Sequence, residues 1–155
     1  MSYDYREFVN NPNLLSDYKS FMEGNKNKLP KSARALFESS QFNSNSDASP
    51  YDSDLDSFEM DEVGSESSRL VLNLSKNWNN RRQRVIYKGV YSVKMELDHS
   101  LVSNKPTWRY SIFLPYDEHR SCGLKGKMFK HQIEWIGEQY WTIIAREVEH
   151  EPEST

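Results

Sequence analysis

The pattern of apolar residues changes its period along the chain, and the first part has helical spacing. Between residues 11 and 24 the apolar side chains recur every three or four positions, at Leu14, Leu15, Tyr18, Phe21 and Met22. This spacing predicts a helix that Asn11 caps and Gly24 ends. A second short helix is predicted from Pro30 or Ser32 to Phe37. Since helices this short are marginal alone, we expect the first to dock on a folded domain and the second to stay loose until a partner arrives.

After Arg69 the period becomes two, which is typical of half-buried strands. Leu70, Leu72 and Leu74 alternate with Val71, Asn73 and Ser75. A second alternating run has one parity that comprises Val85, Tyr87, Tyr91, Val93, Met95 and Leu97. Gly89 lies in the same register as this run. We therefore predict one long strand here, with a bulge or bend at Gly89.

Three further strands are predicted towards the end of the chain. One presents Trp108, Tyr110, Ile112 and Leu114 on a single core-facing side and ends at Pro115, between loops at 99–107 and 116–127. Residues 133–145 fit either a hairpin that turns near Gly137 or a helix with one apolar stripe. We favour the hairpin, because the segment is rich in β-branched and aromatic residues and a helix would lose about 1 kcal/mol at Gly137. Trp108, Trp135 and Trp141 then fall on core positions.

These elements predict an α+β fold, a small antiparallel β-sheet domain with short N-terminal helices and a disordered acidic linker. Residues 1–37 are the N-terminal arm and residues 38–68 are the Ser-rich acidic linker, whose apolar residues are too scattered to offset the entropy of ordering. Residues 69–148 are the compact β-rich basic domain. Residues 149–155 are an acidic tail that we expect to fray.

Charge is sorted into blocks along the chain. Residues 1–37 carry six basic and four acidic residues, and residues 38–68 carry nine acidic residues and no basic ones. Residues 69–131 carry thirteen basic and four acidic residues, and residues 132–155 carry one basic and six acidic residues. The net charges of the four blocks are therefore +2, −9, +9 and −5, which add to −3. A basic segment between acidic ones can present a cationic surface to an anionic partner. The alternative is a solvated face that merely balances the acidic linker.

Two groups of residues are the candidate binding sites within the basic block. The anion- or membrane-binding candidates are Arg120, Lys125, Lys127 and Lys130, which fall in or beside a predicted loop that can reach a flat surface. The candidates for binding nucleic acid or nucleocapsid are Lys76, Trp78, Arg81, Arg82 and Arg84. Trp78 is included because it lies in a polar stretch and can stack on a base.

Three serines of the acidic linker are candidate phosphorylation sites. Ser44, Ser49 and Ser53 each have an Asp three residues downstream, a spacing that acidophilic kinases favour. Phosphorylation would deepen the charge contrast with the basic block. The alternative is a spacer whose serines are never modified.

Catalytic and metal chemistry are poorly supported, and we expect neither enzymatic activity nor a cofactor. A zinc site needs four ligands, whereas His119 and Cys122 are the one pair at ligand spacing. A thiol nucleophile at Cys122, with His119 or His131 as base, has no local signature. The lone cysteine, the absence of a signal sequence and the absence of a long apolar run predict an intracellular protein without a transmembrane segment.

Four fragments of the second half form a pattern: Tyr87-Lys88-Gly89, the alternating run 91–97, Met128-Phe129 and Trp141-Thr142-Ile143-Ile144. This pattern resembles the C-terminal half of rhabdovirus matrix proteins, and the chain length is similar to that of the small matrix proteins of plant-infecting members. The resemblance implies a non-enzymatic virion protein that condenses the nucleocapsid, self-associates and attaches to the inner face of an anionic membrane. The acidic arm departs from the lysine-rich arm of that family, and no Pro-Pro-x-Tyr motif occurs.

The leading interpretation is therefore a viral matrix-like assembly protein, located in the host cytoplasm, at the inner membrane surface and in the virion. Its expected partners are further copies of itself, an anionic membrane, and nucleocapsid or RNA. One alternative is an RNA-binding protein of the silencing-suppressor type. Another is an interaction adaptor that recruits host proteins through residues 11–37.

Overall fold

The computed structural model of the chain describes residues 12–40, 42, 49–76, 81–96, 106–116, 126–136 and 139–152. Helices α1 (Pro12–Asn25) and α2 (Lys31–Glu38) are joined by a 3₁₀ turn at Lys26–Lys28. The strands are β1 (Ser53–Asp61), β2 (Arg69–Lys76), β3 (Arg82–Lys88), β4 (Ser92–Glu96), β5 (Thr107–Tyr116), β6 (Met128–Ile136), β7 (Gln139–Ala145) and β8 (Glu147–Pro152). They form one antiparallel sheet in the order β4-β7-β6-β5-β1-β2-β3-β8. The predicted combination of short helices and antiparallel sheet is confirmed, with the sheet as the dominant part.

The two ends of this strand order are joined by the chain itself. Only residues 89–91 separate β3 from β4, and only Arg146 separates β7 from β8. Across these junctions the amide of Tyr91 donates to the carbonyl of Ile144 (2.8 Å), and the amide of Arg146 donates to the carbonyls of Lys88 and Gly89 (3.2 Å each). The segments β3–β4 and β7–β8 are thus one long, bent antiparallel pair. The sheet folds back on itself and encloses the apolar core.

The bend predicted at Gly89 is confirmed, whereas the single long strand is not. Gly89 has a φ of 62°, and β3 and β4 fall at different places in the sheet. A Cβ at this position would lie 2.9 Å from Cδ of Arg146. Glycine is needed here because both the backbone conformation and the close approach of Arg146 exclude a side chain.

The prediction of a disordered linker is wrong for residues 53–61, which form β1. This strand pairs with β2 from Ser53 opposite Lys76 to Asp61 opposite Arg69. The sequence concealed the alternation because a bulge between Leu55 and Ser57 shifts the parity, so that Leu55 and then Phe58 lie opposite core leucines. Residue 41 and residues 43–48 of the predicted linker lie outside the described residues.

The prediction of a frayed tail is wrong as far as Pro152. Strand β8 pairs with β3 from Lys88 opposite Glu147 to Gln83 opposite Pro152. Val148 is buried in the core, while the acidic side chains on the other face meet cations of β3. The segment therefore has the alternating pattern of a strand, with carboxylates on its outer face.

The predicted hairpin in residues 133–145 is confirmed as β6 and β7, which pair as far as Trp135 opposite Gln139. The three core tryptophans, Trp108, Trp135 and Trp141, are buried as predicted. The prediction that alternate residues of β5 share one face from Trp108 onward is wrong, because a bulge between Trp108 and Tyr110 shifts the following residues to the opposite face. Tyr110 is consequently exposed.

Both helices pack on the sheet. Tyr18 and Met22 of α1 and Ala33 of α2 belong to the same buried cluster as the strand residues. The Tyr18 hydroxyl donates to the carbonyl of Phe113 (2.8 Å) and accepts from its amide (3.1 Å), so α1 satisfies part of the β5 backbone. Docking of the first helix is confirmed, and the expectation of a loose second helix is wrong. Neither helix in the described part of the chain has the length and apolar composition needed to cross a bilayer.

Candidate anion-binding sites

The junction between the two helices is held in place by buried apolar residues and has an exposed lysine on each side of them. Leu29 and Pro30, between the 3₁₀ turn and α2, are buried. Lys28 and Lys31 flank this buried pair and are exposed. Burial of Leu29 in the core thus fixes the backbone from which the two lysines project.

A third lysine reaches the same place from the sheet. Lys127, just before β6, donates from Nζ to the carbonyl oxygen of Asn27 (2.8 Å), which is adjacent to Lys28. A groove here is lined by Lys31, Lys127, Arg146 and Glu147. The exposed residues Lys28, Lys31 and Lys127, which we name the lysine cluster, are distant in sequence and are brought together by the docking of the helices.

The lysine cluster lacks carboxylate partners within the described ranges of the chain, where no ion pair involves Lys28, Lys31 or Lys127. Neighbouring cations are paired: Lys26 lies 3.6 Å from a carboxylate oxygen of Glu38, and Arg146 lies 3.6 Å from one of Glu66. The cluster therefore keeps its positive charge available to an external anion.

Of the four predicted membrane-binding residues, Lys127 is the one that the structure places in this cluster. Lys130 is half-buried on β6, between Leu114 and Ile144 of the adjacent strands. Arg120 and Lys125 lie outside the described residues. Sequence reasoning missed Lys28 and Lys31, although both flank an apolar Leu-Pro pair, which was the available signal.

The predicted nucleic-acid residues are not brought onto one cationic surface. Lys76 is 1% exposed, since it lies at the end of β2 opposite the buried Ser53. Arg84 is paired by two hydrogen bonds with the Glu151 carboxylate (2.8 and 3.3 Å). Arg81 is half-buried, Arg82 is exposed, and Trp78 lies outside the described residues.

The outer face of β1, β2 and β3 nevertheless carries a polar groove that includes Arg82 and Arg84. Its other polar groups include Asn73, which donates to the hydroxyl of Ser57 (3.1 Å), and Asp56. The groove thus combines two guanidinium groups with one carboxylate. Arg84 is also engaged by the Glu151 carboxylate.

The structure does not favour phosphorylation of Ser49 or Ser53 in the folded chain. Both are 0% exposed. The Gln83 side-chain amide donates to the Ser49 carbonyl (2.8 Å) and to the Ser53 hydroxyl (2.9 Å). A kinase cannot reach either hydroxyl while this packing holds, and Ser44 lies outside the described residues.

Of the two histidines that the structure describes, His131 is buried in the core and His150 on β8 is half-buried. Nδ1 of His131 lies 2.7 Å from the Tyr87 hydroxyl, and the ring of His131 stacks on Phe113 with centroids 4.1 Å apart. Burial lowers the pKa of His131 to about 3. Nε2 of His150 donates to Oε1 of the Gln83 side chain (2.6 Å), and burial lowers the pKa of His150 to about 4. Both are therefore neutral at physiological pH, and His131 packs as part of the core.

In the part of the chain that the structure describes, no group of three His, Cys, Asp or Glu side chains is arranged to hold a metal ion. No family model matches the chain, and no curated protein matches it either.

Proposed function

We propose that the protein is a non-enzymatic, matrix-like assembly protein that attaches to an anionic membrane surface through the lysine cluster. The observation that carries the proposal is that Lys28, Lys31 and Lys127 are exposed together without carboxylate partners among the described residues. In this role the protein acts at the inner membrane surface and in the virion. It self-associates there and connects the membrane with nucleocapsid or RNA.

The energetics fit reversible attachment. Each Lys near an anionic membrane contributes about 1 kcal/mol, so three contribute about 3 kcal/mol, or roughly a hundredfold in partitioning. Such binding is screened by salt. Further cations are then supplied by self-association, because each added copy brings another lysine cluster to the same surface.

The test is co-sedimentation with vesicles of phosphatidylcholine that do or do not contain phosphatidylserine. We expect the protein to bind only the anionic vesicles, and the triple variant Lys28→Gln, Lys31→Gln, Lys127→Gln to lose most of that binding. The matched control is Arg69→Gln, Arg82→Gln, Lys94→Gln, which removes the same charge from exposed strand positions. Equal losses in both variants would mean that net charge, and not this cluster, determines binding.

The RNA-binding alternative is supported by one observation, the groove that Arg82 lines beside the hydroxyl and amide groups of Ser57 and Asn73. If a phosphate binds there, Arg82→Gln weakens a gel shift with short RNA of mixed sequence. Asp56→Asn strengthens the same shift, because it removes a like charge from the groove. Unchanged shifts in both variants would remove support for this function.

A further inference from the structure

The outer half of β1 is an open strand edge. Strand β1 meets β5 at a single register position, Asp54 opposite Thr107. From Ser57 to Asp61, the described residues provide a pairing strand on one side of β1 only, which is β2. An open edge of this kind is a template to which another extended chain can add by main-chain hydrogen bonds.

The core-facing side of this edge exposes apolar side chains. Phe58 and Met60 lie opposite Leu72 and Leu70, which are fully buried, yet they are 41% and 43% exposed. The Phe58 ring meets the edge of the buried Trp141, with ring centroids 5.4 Å apart. The core therefore continues to the β1 edge and is left partly uncovered there.

The other side of the edge is acidic. Glu59 and Asp61 alternate with the two apolar residues and are exposed, and Glu62 follows directly. The chain has no Lys or Arg between Glu38 and Ser68. The side chains of a strand that pairs here would therefore lie alternately beside apolar groups and beside carboxylates of β1.

We propose that residues 57–61, the β1 edge, bind an extended segment of a partner protein in which apolar and cationic residues alternate. The apolar side chains of that segment cover Phe58 and Met60, and its cations lie opposite Glu59 and Asp61. Charge selects this occupant over a second copy that pairs β1 with β1, because carboxylates would then face carboxylates. The inference goes beyond membrane attachment and does not depend on it, since the lysine cluster lies on different elements.

The probe is a nine-residue peptide of alternating Lys and Val, matched in length to β1. The control peptide alternates Glu and Val. Affinity is measured by fluorescence anisotropy, and amide hydrogen exchange locates the contact. We expect the Lys-Val peptide to bind and to slow exchange within residues 57–61, and the Glu-Val peptide not to bind.

The charge test is Glu59→Lys, Asp61→Lys, which should weaken the Lys-Val peptide by about tenfold or more. The matched control is Asp17→Lys, Glu23→Lys, two exposed acids of α1 with the same total charge change. Should the first double variant fail to fold, Met60→Ser removes the apolar contact alone and is expected to weaken binding as well.

Several results would overturn the proposal. Equal binding of the two peptides would exclude charge selection, and equal effects of the two double variants would place the contact elsewhere. Slow amide exchange at 57–61 without peptide would mean that the edge is already occupied. Sedimentation velocity tests whether a second copy of the chain binds this edge instead. If the protein self-associates and the double variant Glu59→Lys, Asp61→Lys is a monomer, the edge pairs with another copy and the proposal is wrong.

Discussion

At the scale of single residues, the placement of two histidines has the largest consequence, with His131 in the core and His150 half-buried on β8. His131 is enclosed by aromatic rings that include Phe42, Trp108 and Phe113, and its one described hydrogen-bond partner is Tyr87. Sequence reasoning named His131 only as a possible base for a Cys122 nucleophile. The density of aromatic packing decided that it is neutral.

This burial makes stability depend on pH. The folded-state pKa values of His131 (about 3) and His150 (about 4) lie below the usual 6.5, so the unfolded chain binds protons that the folded chain does not. The free energy of unfolding should be unaffected by these groups above pH 6.5. It should fall as pH decreases below 6.5, by up to about 1.4 kcal/mol per pH unit for each histidine.

Urea unfolding between pH 7 and about 5.5 checks this, because Asp and Glu, with ordinary pKa values of about 3.9 and 4.3, remain ionised in that range. His131→Phe should reduce the slope while keeping an aromatic ring in the core. A free energy of unfolding that is constant over this range would contradict the neutral, buried state of both histidines.

At the scale of elements, bulges and one bend decide which strands form. The positions of both helices and of the β6–β7 hairpin are predicted correctly, because their apolar patterns are uninterrupted. It misassigned β1 and the face of β5, since a bulge in each strand shifts the parity by one residue. The register of a strand across a bulge is visible only once its partner strand is known.

Gly89→Ala tests the bend between β3 and β4. We expect a loss of stability of about 1–3 kcal/mol, because alanine must adopt a φ of 62° and its Cβ meets the Arg146 side chain. Thermal unfolding followed by circular dichroism measures the loss. Gly24→Ala in α1 is the matched control and should be neutral or stabilising, since no atom lies within 4 Å of the added Cβ. Similar losses in the two variants would show that the bend is not under steric restraint.

At the scale of the whole molecule, the folded unit is larger than the predicted domain of residues 69–148. The helices and β1 contribute Met22, Leu29, Ala33 and Leu55 to the same core as the later strands. Other apolar residues of the two helices are half-buried against the same core. An adaptor that recruits partners through residues 11–37 would have to bind through the parts of the helices that stay exposed.

Met22→Ala tests this unity. Met22 is 0% exposed, so its truncation should cost about 2–5 kcal/mol. The loss should shift the unfolding of the whole sheet, read from the fluorescence of its buried tryptophans. Lys19→Ala on the exposed side of the same helix should leave the transition in place. A sheet that unfolds at the same urea concentration in both variants would mean that α1 unfolds separately.

Both the sequence and the tertiary structure determine which charges stay exposed and unpaired. Composition determined that a basic segment lies between acidic ones. Pairing of β3 with β8 then placed Lys88 beside Glu149 (3.0 Å) and Arg84 beside Glu151, so cations of the basic block are neutralised within the fold. The lysine cluster kept its charge because none of its lysines forms an ion pair with a described residue, although Glu147 lines the same groove.

The sequence by itself determined the helices, the β6–β7 hairpin, the buried tryptophans and the bend at Gly89, because each follows from the spacing of residues close together in the chain. Only the tertiary structure decided the closure of the sheet, the strand in the acidic segment and the cations left without a partner. These depend on which distant segments become neighbours. Local periodicity does not specify that choice, since any strand of suitable alternation can pair with several others.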